Sequence, residues 1–233
     1  MAQQDRAIRT RQAILQSAGA IFAERGYEGA TIKDVYDRVN VTKGAFYFHF
    51  RSKKELAEAV LGAQVTNSGF PVVPRALKLQ ELIDAGMVFA HLLTHDPVLQ
   101  GSIRLSLDPA MTDTDRRQPF QAWIDQNHRA LQAAQEHGEL HPHVDVADIA
   151  HLMVGAFSGV QLLSQAMTDR RDLESRISVL LTHLFPTVTV PGILARLDMA
   201  PDRGVRVLAE LRQAAGPVAG ETEGPGATHR AGH

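Results

Sequence analysis

Between Thr31 and Glu55 the chain crowds together hydroxyl, ammonium, imidazole and phenol groups, the side chains that bind phosphate oxygens of a nucleic-acid duplex. Lys43, Tyr47, His49 and Lys53 supply charge and hydrogen-bond donors. Gly44 contributes by what it lacks, since a backbone without a Cβ can come close to a partner surface. Arg6, Thr31, Lys33, Thr42 and Ala45 complete the candidate DNA-contacting set. No nucleophile elbow or glycine-rich phosphate loop accompanies them, so no catalytic residue is assigned.

Two short helices and a tight turn would position these groups. Thr31 caps the first, with Asp34 as its reciprocal partner and Ile32, Val35 and Val39 on one face. Asn40 stops it, because Asn tolerates the left-handed conformation at a helix C-terminus, and Val41 tucks under the corner. Thr42 caps the second helix, whose start is aimed at a major groove. Ser52-Lys-Lys-Glu55 reads as a complete capping box for a third helix running from 52 to about 66. Phe46, Phe48 and Phe50 are expected to anchor this small domain on its own core.

Charge separates the two ends of the chain. Residues 1 to 54 carry ten Lys/Arg against five Asp/Glu, a balance of +5, while the remaining 179 residues carry −7. A protein of near-neutral overall charge can still hold DNA when its positive charge is gathered on one face. The 233 residues, 44% of them apolar, suffice for one sizeable core and a small domain. There is no cysteine, hence no disulfide or thiol chemistry, and the N-terminus lacks a signal-peptide apolar region. No apolar run approaches about 18 residues, so no membrane span is expected and a cytoplasmic location follows. His91 with His95, and His137 with His141 and His143, are only weakly zinc-like without Cys or a His-Glu-x-x-His arrangement; neither a metal site nor a cofactor is expected.

Every periodic segment reads as helix, giving an all-α chain. Ile8, Ile14, Leu15, Ala18, Ile21 and Phe22 form one stripe that Gly26 ends. A Pro/Gly-bearing loop covers 67 to 74, and helices are expected at about 77–94, between Pro97 and Pro109, and at 117–137, 144–167, 172–185, 193–197 and 202–212. The organisation is a DNA-binding domain at 1–55, a larger helical ligand-binding and dimerisation domain at 56–212, and a disordered tail at 213–233 that is poor in large apolar residues.

Residues 5 to 60 resemble the N-terminal domain of the tetracycline-repressor (TetR) family of bacterial regulators, most of all in Val41-Thr-Lys-Gly-Ala-Phe-Tyr-Phe-His-Phe50 and Ser52-Lys-Lys-Glu-Leu56. Tyr36, Val39-Asn40 and Phe46 depart from that pattern, where a small residue, Ala-Gly and Leu are usual; Tyr36 either repacks the domain or touches DNA. Further matches at Leu79-Gln-Glu-Leu-Ile-Asp84, Pro119-Phe120 with Trp123, and Val154-Gly-Ala-Phe-Ser-Gly-Val-Gln161 are similar to the γ-butyrolactone autoregulator receptors of actinomycetes. The resemblance implies a homodimeric repressor on a palindromic operator, released by a small diffusible autoregulator of γ-butyrolactone or butenolide type and controlling antibiotic production. A pseudo-receptor or constitutive regulator deaf to butyrolactones is the alternative.

Such a signal has a polar head and an aliphatic tail, so its pocket should be mostly apolar with a few oriented donors. The resemblance implies Trp123 and, more weakly, Gln64 as ligand contacts. Helix-face arithmetic adds Met87, Phe89, Leu92, Phe120, Phe157 and Val160 for the apolar wall, and Gln161 and Ser164 for polar contacts. Gly155 and Gly159 either admit a close-packed helix or leave room for ligand. The apolar faces around Met153, Leu163, Ile177 and Leu181 exceed what one protomer can cover, which a symmetric dimer would bury. The helix from 52 to 66 is the expected lever, with Lys53 near phosphate and Gln64 near the pocket.

Overall fold

Gly26 and Asn40, the two residues expected to stop helices in the first part of the chain, both take left-handed backbone, with φ of 68° and 56°. The computed structural model describes residues 2–62, 73–112 and 114–214, and among them the regular elements are all helical. The first four are α1 (Ala2–Gly29), broken at Gly26, α2 (Ile32–Val39), α3 (Lys43–His49) and α4 (Lys53–Leu61). Seven follow: α5 (Lys78–His95), α6 (Pro97–Leu107), α7 (Gln118–Glu136), α8 (Val146–Thr168), α9 (Leu173–Leu184), α10 (Pro191–Leu194) and α11 (Arg203–Ala214). The region 63–72, with Gln64, the end of the long helix expected to 66 and most of the expected loop, lies outside the described residues, as does 215–233 of the expected tail.

Two apolar clusters organise these helices. The first gathers Ile14, Phe22, Val35, Phe46, Phe50, Leu56 and Leu61 of α1 to α4 with Val98 and Leu105 of α6 and with Met111. The expected division after residue 55 therefore falls inside α4, and α6 belongs to both parts of the molecule. The second cluster joins α5, α7, α8 and α9 around Leu79, Ile83, Met87, Leu131, Ile177 and Phe185.

The helical head meets the body where α1 crosses α6 backbone to backbone. A Cβ on Gly19 would sit 2.5 Å from the Cα of Val98, and one on Gly101 would run into the carbonyl of Gly19. Ser102 Oγ donates to the carbonyl of Leu61 at 2.8 Å, and the backbone N–H of Tyr27, just past the Gly26 break, donates to Asp108 Oδ2 at 2.7 Å. One helix thus holds both α1 and α4.

Distant residues close the body. Glu139, almost fully buried, accepts from the N–H groups of Lys78 and Leu79 at 2.8 Å each, supplying the acceptor that Leu77 at the start of α5 cannot. Arg203 of α11 makes two 2.7 Å contacts to the buried Asp84 of α5, which also takes Arg75 Nε at 2.7 Å. Gly204 lets α11 lie against the carbonyl of Met87.

α8 differs from the other described helices in composition. It contains an 18-residue window of mean hydropathy 1.5 with at most two charged residues, long and apolar enough to cross a membrane by composition. The reason is visible in its faces: Met153, Phe157 and Gln161 look into the body, while Leu152, Leu162, Leu163 and Met167 are exposed on the other side. A helix with two faces to cover is apolar nearly all round.

A candidate DNA-reading head and effector cavity

The reading helix is framed by side-chain caps. Thr31 Oγ1 accepts from the N–H of Asp34 at 3.1 Å while Asp34 Oδ2 accepts from the N–H of Thr31 at 3.1 Å, and Arg25 adds a 3.3 Å ion pair to Asp34. Thr42 Oγ1 accepts from the N–H of Ala45 at 3.1 Å, fixing the start of α3. At α4 the box is altered from the expected form. Ser52 Oγ accepts from Glu55 N–H at 3.1 Å, but the Glu55 carboxylate reaches the N–H of Arg51 at 2.8 Å, one residue before the cap.

These caps leave Arg6, Thr31, Lys33, Thr42, Lys43, Gly44 and Tyr47 exposed, with Ala45, His49 and Lys53 half-buried. Lys33 is engaged by Asp37 one turn on at 2.5 Å, a hydrogen bond that raises its pKa. Lys53 Nζ donates to the carbonyl of Glu28 at 3.3 Å and lies 4.5 Å from the Tyr27 ring centroid; burial pulls its pKa down. Lys53 therefore ties α4 to the end of α1, and reaching phosphate means exchanging that carbonyl for it. Around Gly44 nothing lies within 4 Å of where a Cβ would stand. Tyr36 packs edge-on to Phe46 at 6.4 Å between ring centroids, which places it in the domain's packing.

Phe48 departs from expectation. Phe46 and Phe50 are buried, at 0% and 1% exposure, but Phe48 is 80% exposed. Residues two apart on a helix are about 200° around the axis, so Phe48 faces away from its two neighbours. Sequence reasoning also passed over the exposed Arg51 and over Arg11, whose guanidinium sits 5.0 Å from the Phe50 ring centroid.

In the body, α5, α6, α7, α8 and α9 enclose a narrow cavity of about 80 Å³. Phe89, Phe120, Trp123, Phe157 and Gln161, all expected there, line it together. Phe89 stands 4.7 Å from Trp123 and 5.5 Å from Phe157 between ring centroids. Four other expected residues do not reach the cavity. On α5 the lining face is Leu82, Ala85, Gly86 and Phe89; Met87 is turned off it into the core, and Leu92 packs on the core without lining the cavity. On α8 the face is Met153, Val154, Phe157, Ser158 and Gln161, so Val160 lies off it, while Ser164 is taken by Asp172 at 2.5 Å. Ile103 of α6, Asn127 and Ser158 were missed as lining residues. Gln161 is 2% exposed, and its Oε1 has no partner among the described residues.

Gly155 and Gly159 are exposed, and a Cβ added at either would meet nothing within 4 Å, so they leave space outside the protomer rather than inside the cavity.

Similarity to known proteins extends over both parts of the chain. Residues 14–60 match the bacterial regulatory proteins of the tetR family, and residues 76–191 match the tetracyclin repressor-like C-terminal domain. The A-factor receptor protein of Streptomyces griseus is 34% identical over 232 residues, covering 97% of this chain and 82% of that protein. The crystal structure of TylP, a TetR regulator from Streptomyces fradiae, is 43% identical with a TM-score of 0.80, covering 88% of this chain and 98% of that one. A crystal structure of a γ-butyrolactone receptor described as ArpA-like is 27% identical with a TM-score of 0.68, over 90% and 99% of the two chains. The chain belongs to the TetR family: it is a DNA-binding transcriptional repressor that pairs as a dimer and answers to a small molecule, and not an enzyme.

Proposed function

We propose that the small molecule is a γ-butyrolactone or butenolide-type signal, that it releases the dimer from a palindromic operator in the cytoplasm, and that the genes so controlled serve antibiotic production. The observation that carries this reading is the body cavity: Phe89 of α5 packs against both Trp123 of α7 and Phe157 of α8, and the buried amide of Gln161 belongs to the same lining. Rings and aliphatic side chains suit an acyl tail, and an amide with an unsatisfied acceptor suits a hydroxyl on the head. The likeness to the A-factor receptor and to a γ-butyrolactone receptor supports the same chemistry.

The cavity is too narrow to take such a ligand without its walls moving, and that is where release originates. A ligand shifts an equilibrium only through differential affinity for two states. Ile103 carries the displacement, because α6 lines the cavity and also holds α1 through Gly101, α4 through Ser102 and the Tyr27 N–H through Asp108. Moving α6 moves the head. In a dimer the two reading helices must stand about 34–36 Å apart to meet successive major grooves, so a small rotation of each head suffices to lose the operator.

The test is a gel shift on the DNA upstream of the gene, titrated with synthetic γ-butyrolactones and butenolides. Trp123→Ala should bind that DNA like wild type and fail to let go at ligand concentrations that release wild type. Normal release from the variant would remove Trp123 from the pocket, and release by no member of either series would remove the ligand class.

A further inference from the structure

The aromatic cavity enclosed by α5, α6, α7, α8 and α9 is lined, among the described residues, without one ionisable side chain. Its polar members are Asn127, Ser158 and Gln161 with the indole of Trp123, all of them neutral groups. Ser158 already gives its hydroxyl proton to the carbonyl of Val154 at 2.7 Å. Residues 63–72, outside the described part of the chain, contain no Asp, Glu, Lys, Arg or His and can add no charge to the wall.

Charge is plentiful on the same helices and is kept off this wall. Arg104 adjoins Ile103 but lines the recess between α1, α6 and α8, together with Glu24, Asp108, Asp169 and Arg170. Arg176 adjoins Ile177 and pairs with Asp172 at 2.6 Å; Asp84 adjoins Ala85 and is held by Arg75 and Arg203 at 2.7 Å each. Arg117, at the start of α7, pairs with Asp115 at the exposed surface, and His128 and His183 stand beside Asn127 and Leu184 in sequence without lining the cavity. A neutral ligand gives up little on entering such a space. A carboxylate gives up its hydration and meets no counter-charge.

We propose that the cavity takes its effector only as an uncharged molecule, and that hydrolytic opening of the lactone ring is therefore what ends the signal. The second half rests on the ligand being a lactone. In that reaction water adds at the ring carbonyl, the acyl carbon–oxygen bond breaks, the ring oxygen leaves as an alcohol, and the new carboxyl group gives up its proton at neutral pH. The product differs from the signal by one water and one negative charge, and the charge is what the wall rejects. A lactone-hydrolysing enzyme, or alkaline medium, returns the repressor to its operator.

Trp123 is the only tryptophan of the chain and lines the cavity, so its fluorescence reports occupancy directly. Full-length dimer is titrated at pH 7.5 with γ-decalactone, 4-hydroxydecanoate and 4-hydroxydecanamide, residual lactone being measured by chromatography in each sample. Lactone and amide should bind saturably and within about tenfold of each other, and the acid at least a hundredfold more weakly than the lactone. Lowering the pH to 6.5 should tighten the acid about tenfold, in step with its protonated fraction, and leave the lactone unchanged. Asn127→Arg, which sets a cation in the wall, should narrow the gap between lactone and acid at least tenfold; if it does not fold, the pH series on wild type decides alone. Acid bound within tenfold of lactone at pH 7.5, acid binding indifferent to pH, or a gap unmoved in folded Asn127→Arg overturns the charge selection and leaves the lactone reading standing. Charge selection in a protein that no lactone or butenolide releases from DNA overturns the proposed signal and leaves the selection standing. No saturable binding of lactone or amide at millimolar concentration, by fluorescence or calorimetry, overturns both.

Discussion

Gly44 occupies the first turn of α3, exposed, with open space where a side chain would begin. Nothing inside the protein requires a glycine there, and alanine is the better helix former by up to about 1 kcal/mol. Gly44→Ala should therefore leave the thermal midpoint unchanged or raised, yet weaken operator binding at least tenfold by holding the backbone off the duplex. Lys43→Ala should weaken it too, with the slope of log affinity against log salt reduced by about one, the mark of a lost phosphate contact. An operator affinity untouched by Gly44→Ala would place α3 away from the groove. The three phenylalanines beside it show where residue-level reading fails. Alternation along Phe46, Phe48 and Phe50 invites a single role for all three, but a helix pairs i with i+4, and only Phe46 and Phe50 share the buried face.

Elements were legible wherever their signals are local. The caps at Thr31 and Thr42, the stop at Asn40 and the break at Gly26 are written within a few residues of where they act, and the helices they delimit stand where the periodicity puts them. The cap of α5 by Glu139 and the anchoring of α11 by Asp84 join residues about 60 and 119 positions apart, which no local pattern reports. The cavity was half legible for the same reason. Helix periodicity selected a face of α5 and of α8, but the angular offset of Met87 and Val160 from that face depends on how neighbouring helices are rotated. The joint between α8 and α9 yields a prediction of its own. Asp172 accepts from the hydroxyls of Ser164 and Thr168 and from Arg176, and these hold its pKa at about 2. In the unfolded chain the group titrates near 4, so between those values the unfolded state binds the extra proton and stability falls as pH drops. Urea midpoints measured at pH 6 and pH 3 should fall less for Asp172→Asn than for wild type, since the variant has no charge to lose; equal losses would show that these bonds do not favour the ionised form.

At the scale of the whole molecule the decisive surface is the outer side of α8 and α9. Leu152, Leu162, Leu163 and Met167 are about half or more exposed, as is Val179 of α9, and Gly155 and Gly159 lie open among them. An apolar row of this length, on a helix whose other side walls the aromatic cavity, suits burial by a two-fold partner, and small residues four apart would let two such helices approach closely. Gly159→Leu separates this from a structural role inside the protomer. A leucine there meets no atom of its own chain and improves helix propensity, so circular dichroism and the thermal midpoint of the isolated protomer should hold. Across the dimer axis the same leucine fills space that the partner's helix needs. Light scattering at micromolar concentration should then show monomer where wild type is dimeric, and operator binding should fall at least a hundredfold, because a lone head reads one half-site and loses the gain from tethering two. A variant that stays dimeric with full operator affinity would move the interface off Gly159 and force the close helix crossing to another part of α8.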